Sequence, residues 1–181
     1  TVPGLLQNIV EAFYRTSWRA IHQGSTCKML PDDISIDPIG PVNLRNHTNA
    51  RRATLQCFIL VIGCQHTGAI ILTVAGAVTS DAIILALKSS EMSYNKSFER
   101  IYADAGTSLS SALLQSKHRN WTVSQHPSFA HHRVYVESRI KSVKVIFNTF
   151  MKKYSRENRI TVPITIFELC FLCSTIQNQI N

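Results

Sequence analysis

Residues 100–109 read RIYADAGTSL. A basic residue opens a short apolar run, the run ends on one carboxylate, and a tight Ala-Gly-Thr turn comes next. The apolar run predicts a short strand over residues 99–104. A carboxylate at the end of a buried strand is costly unless a basic partner or a metal ion offsets its charge. Which offset applies decides the fold's purpose, so the surrounding elements matter.

Upstream, residues 34–44 (ISIDPIGPVNL) alternate apolar and polar and then meet Pro38 and Pro41. This predicts a strand whose end must bend or lie at an edge. Residues 45–55 are polar and basic and read as a loop. Residues 57–78 (CFILVIGCQHTGAIILTVAGAV) approach transmembrane length, but Gln65, His66 and Thr67 beside Gly68 interrupt them. Two β-rich strands, 56–65 and 69–76, joined by a turn explain the run better than a membrane helix. Thr79 or Ser80 can cap a helix through DAIILALKSSEM. Thr107 and Ser108 can cap another through SSALLQSKH. Residues 121–124 read as a short strand, and 125–133 (QHPSFAHHR) as a His-rich loop. A long amphipathic helix runs from Val134 to Tyr154, and a last helix begins just inside Pro163. An amphipathic period over residues 5–22 predicts an N-terminal helix. The order predicts an α/β fold, a mixed five-stranded sheet flanked by helices.

The chain has 181 residues, 45% of them hydrophobic, enough for a real core. The net charge is +8 and the sequence pI about 9.5, which favours polyanionic partners. Five cysteines at irregular spacing do not form a secreted disulfide framework and suit a reducing compartment. Cys170 and Cys173 lack a second ligand pair and read as helix packing residues. The abrupt start without Met, and with no secretory signal, is expected of a fragment.

Only eleven acidic residues are present. Asp37 lies within the first strand, Asp104 ends the fourth, and Glu137 stands near the start of the long helix. In a sheet of this order the first and fourth strands can be neighbours, and a crossing helix can add a third carboxylate. Three carboxylates gather in one place only around a cation. Hard oxygen ligands suit magnesium or manganese, and two such ions can clamp the attacking and leaving oxygens of a phosphodiester.

Three segments resemble the catalytic segments of retroelement integrases. ISIDPIGPVNL is similar to the first, RIYADAGTSL to the second, and RVYVESRIKSVK (133–144) to the third, in the family's order. Thirty-two residues separate Asp104 from Glu137 (137 − 104 − 1 = 32), close to the family's spacing. The tail ITIFELCFLCSTIQNQIN resembles the segment after this core in Pao- and Gypsy-like retrotransposons. The chain departs from the pattern at Ala105, Leu109 and Val134, and neither the amino-terminal zinc module nor a carboxy-terminal DNA-binding domain is recognisable. The resemblance implies a ribonuclease-H-like core over residues 31–155, preceded by a helical remnant or linker (1–30) and succeeded by a helix (156–181). It implies a DDE triad of Asp37, Asp104 and Glu137 holding Mg²⁺ or Mn²⁺, trimming of element DNA ends, and their transfer into target DNA. Transfer needs two DNA ends held together, so it implies a homo-oligomer, acting inside the cell and in the nucleus on host DNA, with no membrane partner.

Lys141 and Lys144, four and seven residues after Glu137, share its helical face and suit a phosphate backbone. Arg139, Lys152 and Lys153 can extend that basic surface. Plainer readings stand beside these. Asp37 can satisfy backbone amides near Pro38, Asp104 can form a turn before Gly106, and Glu137 can cap its helix or pair with Lys141. His126, His131 and His132 read as a mobile loop rather than a zinc site. Three functions remain open from sequence: an integrase core, a non-catalytic nucleic-acid-binding remnant of such an element, and another ribonuclease-H-like nuclease.

Overall fold

A computed structural model describes residues 33–44, 55–103, 120–125, 133–157 and 164–181. The helices expected over 5–22 and after Thr107, with residues 45–54 of the basic loop expected over 45–55 and 126–132 of the His-rich loop expected over 125–133, fall outside the described residues. Five strands are described: β1 (Asp33–Leu44), β2 (Leu55–Cys64), β3 (Ile70–Ala75), β4 (Arg100–Ala103) and β5 (Thr122–Gln125). Three helices accompany them: α1 (Ser80–Tyr94), α2 (Arg133–Glu157) and α3 (Ile166–Ile180). The strands form one mixed sheet in the order β3-β2-β1-β4-β5. β1, β2 and β3 pair antiparallel, while β4 lies parallel to both β1 and β5. The mixed five-stranded sheet flanked by helices, and the pairing of the first and fourth strands, match the expectation from sequence.

Strand alternation divides the core into two apolar layers. Ile34, Ile36, Leu60, Ile62, Ile101 and Val123 face α1. Ile39, Val42, Cys57, Ile59 and Val61 face α2 and α3. Residues 59–62 of β2 are all at most 1% exposed, so this strand is covered on both faces. That explains why its sequence is a continuous apolar run rather than an alternating one. No described helix is long and apolar enough to cross a membrane.

The end of β1 that carries Pro38 and Pro41 bends and has no described pairing with β4, as expected. β1 is the central strand, and the register to β2 shifts between Ile39 and Val42. The extra residue flips the alternation, so odd-numbered Ile39 and even-numbered Val42 face the same layer. Gly40 makes this possible, with φ +140° and Phe58 Cδ1 only 2.9 Å from where a Cβ would stand. Described pairing with β4 is confined to Asp33–Ile36, so neither proline removes a hydrogen bond from that ladder.

The helix ends reflect local chemistry. Thr79 caps α1 by accepting from Ala82 N at 3.3 Å, and Asn95 ends it in the left-handed region at φ 50°. α3 starts later than Pro163, because Thr165 and Glu168 form a reciprocal capping box. Glu91 near the end of α1 accepts from Phe98 N at 2.7 Å and Trp121 Nε1 at 3.1 Å, tying the helix to the entries of β4 and β5. α3 closes the outer edge of β3. Asn181 accepts from Ile70 N and donates to Ile70 O, and Gln177 accepts from Leu72 N. These side chains take up backbone groups that would otherwise template another strand.

Candidate active site

α2 lies on the sheet through two glycines. At Gly63 of β2 a Cβ would stand 2.7 Å from Val136 Cγ1 and 3.3 Å from Ile140 Cδ1. At Gly68, φ +70°, a Cβ would run into the Tyr135 ring. The absent side chains let the first turns of α2 approach the backbone closely. Val136, Ile140, Val143, Phe147 and Phe150 then fill the layer beneath. Glu137, Lys141 and Lys144 fall along one flank of the helix, beside its buried face: Glu137 and Lys141 are exposed and Lys144 is half-buried.

The third member of that stripe reaches the sheet. Lys144 Nζ donates to Asp37 Oδ2 at 2.5 Å, with about a third of each side chain exposed (34% and 31%). Asp37 is therefore on the α2 face of the central strand and carries a cationic partner. A pair this exposed contributes about 0–1 kcal/mol net, because water screens it and two side chains lose freedom. Glu137 stands seven residues before Lys144, roughly 10 Å along the helix at 1.5 Å per residue. Among the described residues Glu137 and Lys141 have no ion-pair or hydrogen-bond partner, so the expected pairing of these two with each other is not formed.

Asp104 lies outside the described residues. The chain leads to it along β4, whose last described pair with β1 is Ile36 opposite Ala103. Each of those two residues immediately precedes one of the sequence-predicted carboxylates. Of the five site residues expected from sequence, the described structure thus brings Asp37 and Lys144 into contact. Glu137 and Lys141 lie on the same helical stripe as Lys144.

Arg139 does not belong to the basic surface expected from sequence. It is 7% exposed and donates to Tyr135 Oη at 3.0 Å and to the Ile180 carbonyl at the end of α3. A cation suits that helix terminus, where unpaired carbonyls concentrate negative charge. Sequence reasoning also missed a second ion pair. Asp33, expected before the first strand, is its buried first residue. Its Oδ1 accepts from Arg100 Nε at 2.6 Å, and His66 Nε2 lies 3.5 Å from Oδ2. The hydrogen bond and charge of Asp33 hold the Arg100 guanidinium above its ordinary pKa. The basic residue opening RIYADAGTSL is thus offset by Asp33. The signal was the placement of one acid and one base at the starts of two strands expected to be neighbours.

Among the described residues Asp37 offers the hard carboxylate oxygens that a divalent cation takes, and the Lys144 ammonium stands on one of them at ion-pair distance. Among the described residues no three His, Cys, Asp or Glu side chains form a metal-holding group.

The sequence matches no family model and no curated protein. Solved structures do resemble it. A chain of the simian T-cell lymphotropic virus intasome, solved in complex with PP2A regulatory subunit B56 gamma, gives a TM-score of 0.51 at 16% identity. The match covers 87% of this chain and 49% of that one, so this chain spans about half its length. The BIV integrase catalytic core gives 0.46 at 12% identity, over 82% of this chain and 80% of that one. The HTLV-2 integrase catalytic core, in a dimeric form in complex with magnesium, gives 0.48 at 16%, over 83% and 86%. What the intasome chain shares with this one is the architecture: a mixed five-stranded sheet with flanking helices, the ribonuclease-H-like fold.

Proposed function

We propose that this chain is the catalytic core of a retroelement integrase of the Pao- or Gypsy-like kind, a DDE polynucleotidyl transferase acting on DNA. The observation that carries the reading is the 2.5 Å contact between Lys144 and Asp37. It joins the first sequence-predicted carboxylate, on the central strand, to the helical stripe bearing the third. Asp37, Asp104 and Glu137 would hold one or two Mg²⁺ or Mn²⁺ ions. The bound ions would activate an attacking hydroxyl and neutralise charge on the phosphodiester. The parallel register of β1 and β4 supports Asp104 as the second ligand, because it ends one residue short of both aspartates.

The protein's own residues orient the DNA. Lys141, exposed and without a described partner, is placed to meet backbone phosphate. Lys144 stands one turn further along the same face. The close seat on Gly63 and Gly68 sets how near the first turns of α2, which bear Glu137, come to the sheet. The substrate is element DNA ends and target DNA, the working form is a homo-oligomer holding two ends, and the site of action is nuclear.

The test is strand transfer of labelled DNA ends, drawn from a panel of element termini, with Mg²⁺ or Mn²⁺. Activity in the wild type that is lost in Asp104→Asn, with DNA binding retained, supports the reading. Equal activity in both proteins refutes the triad. DNA binding without transfer in either protein assigns the chain to a non-catalytic remnant, and cleavage of RNA in hybrids without transfer assigns it to another nuclease of this fold.

A further inference from the structure

We infer that Lys144 is an exchangeable counter-ion for Asp37: it holds the cation position in the metal-free protein and is released to DNA phosphate when a divalent ion binds. This rests on the reading of Asp37 as a metal ligand and says how that site is kept before loading.

Three observations lead there. The Lys144 ammonium sits 2.5 Å from Asp37 Oδ2, where one ligand oxygen of a divalent ion's carboxylate would be occupied by a proton donor instead. An oxygen engaged by the ammonium is less available to a divalent ion, so the two compete. Both side chains remain about a third exposed, so exchange requires no opening of the core. Lys144 is also the stripe's link between sheet and solvent: Lys141, one turn earlier, is exposed and has no described partner.

The arrangement has a use. A carboxylate site without its metal carries uncompensated negative charge that repels DNA. With Lys144 seated, Asp37 is neutralised until the ion arrives. The ion then displaces the ammonium, and the freed lysine adds a positive charge to the face that meets the phosphate backbone. Metal loading and DNA binding are thereby coupled, and the coupling is reciprocal.

The experiment measures Mn²⁺ affinity of the full chain by the free-ion EPR signal, without DNA or catalysis. Net exposed-pair strengths of about 0.2–1 kcal/mol correspond to a roughly 1.4- to fivefold tighter Kd in Lys144→Gln. Lys144→Arg, which keeps a cation, stays near wild type. Lys152→Gln removes the same unit of charge two turns away and changes affinity less. An unchanged Kd in Lys144→Gln, or an equal gain in Lys152→Gln, overturns the exchange while leaving the metal site standing. Asp37→Asn separates the two ideas: Mn²⁺ binding that survives it in full overturns the metal reading, and the exchange falls with it. In DNA binding with Ca²⁺ present, the salt dependence of wild type should exceed that of Lys144→Gln by about one phosphate contact, a slope difference of roughly 0.9. Equal slopes overturn the release to phosphate.

Discussion

Gly63→Ala tests whether the helix bearing Glu137 is positioned by the absence of a side chain. The added Cβ would stand 2.7 Å from Val136 Cγ1 and 3.3 Å from Ile140 Cδ1. Carbon atoms normally settle about 3.5–4.0 Å apart. The first turns of α2 must therefore lift by roughly 1 Å, or Val136 must leave its rotamer. Overpacking of this kind costs about 1–3 kcal/mol. Alanine recovers about 0.5–1 kcal/mol of the entropy that glycine loses within a strand. The net expectation is a loss of about 0–2.5 kcal/mol, read as a lower midpoint in urea at unchanged slope. Val136→Ala removes the methyl groups that the new Cβ would meet. Alone it loses apolar packing, yet combined with Gly63→Ala it should destabilise by at least about 0.5 kcal/mol less than the sum of the single changes. A Gly63→Ala protein more stable than wild type, or strict additivity with Val136→Ala, would refute the argument that this glycine seats the helix.

Other consequences arise from the same packing. Glu91→Ala removes the acceptor shared by Phe98 N and Trp121 Nε1 and should cost about 2–4 kcal/mol in urea, whereas Glu91→Gln keeps a carbonyl oxygen and costs less; equal losses would count against the shared-acceptor role. Replacing Gln177 and Asn181 together with alanine should lower stability by about 1–3 kcal/mol and expose the Ile70 and Leu72 amides, seen as faster hydrogen exchange at those two positions. Burial, with a smaller effect of Cys170, pushes the Cys57 thiol up to about 11, and burial with Cys170 and Cys57 pushes Cys173 up to about 12. The unfolded chain ionises near 9 and then binds fewer protons than the folded one, so stability should fall as pH rises from about 9 towards 11, with a slope of up to about 1.4 kcal/mol per pH unit for Cys173. Among the described cysteines, alkylation of native protein at neutral pH should mark exposed Cys170 and spare buried Cys57, Cys64 and Cys173, as mass spectrometry would show.

The strands were legible because their signal is local. Residues 57–78 could be read as two strands from the polar interruption at Gln65–Thr67 and their β-branched content, and the hairpin of β2 and β3 lies there. The position of a strand within the sheet is not a local property. Pro38 and Pro41 showed that the end of β1 must bend or lie at an edge, and it does carry a bulge and no described β4 pairing; that the first four residues make the same strand central was not visible locally. The start of α3 is a similar case. Pro163 is compatible with the first helical turn, but the capping box of Thr165 with Glu168 satisfies two backbone donors at once and starts the helix there.

Charged residues were harder to read, because a sequence shows how many charges there are and not which ones face each other. Asp33 and Asp37 both stand on β1, four residues apart, and each meets a basic side chain from a distant segment. Sequence position gave Asp37 the functional weight and left Asp33 as a residue before a strand. The structure separates them by exposure and by partners. Asp33 is nearly enclosed, held by Arg100 and approached by His66, so its carboxylate belongs to the join between β1 and β4. Asp37 is open to solvent, with one lysine on it that water already reaches. The exposure of the partners does not make the difference, since the Arg100 side chain is 57% exposed and that of Lys144 34%; that of the carboxylates does, at 10% for Asp33 and 31% for Asp37. A site that must admit an ion and a phosphate requires the more open carboxylate. The same logic removes Arg139 from the DNA-facing surface despite its place between Glu137 and Lys141, since its guanidinium is buried against the end of α3. Residue type and spacing therefore do not sort the charges of this fold; the openness of each side chain in the packed structure does.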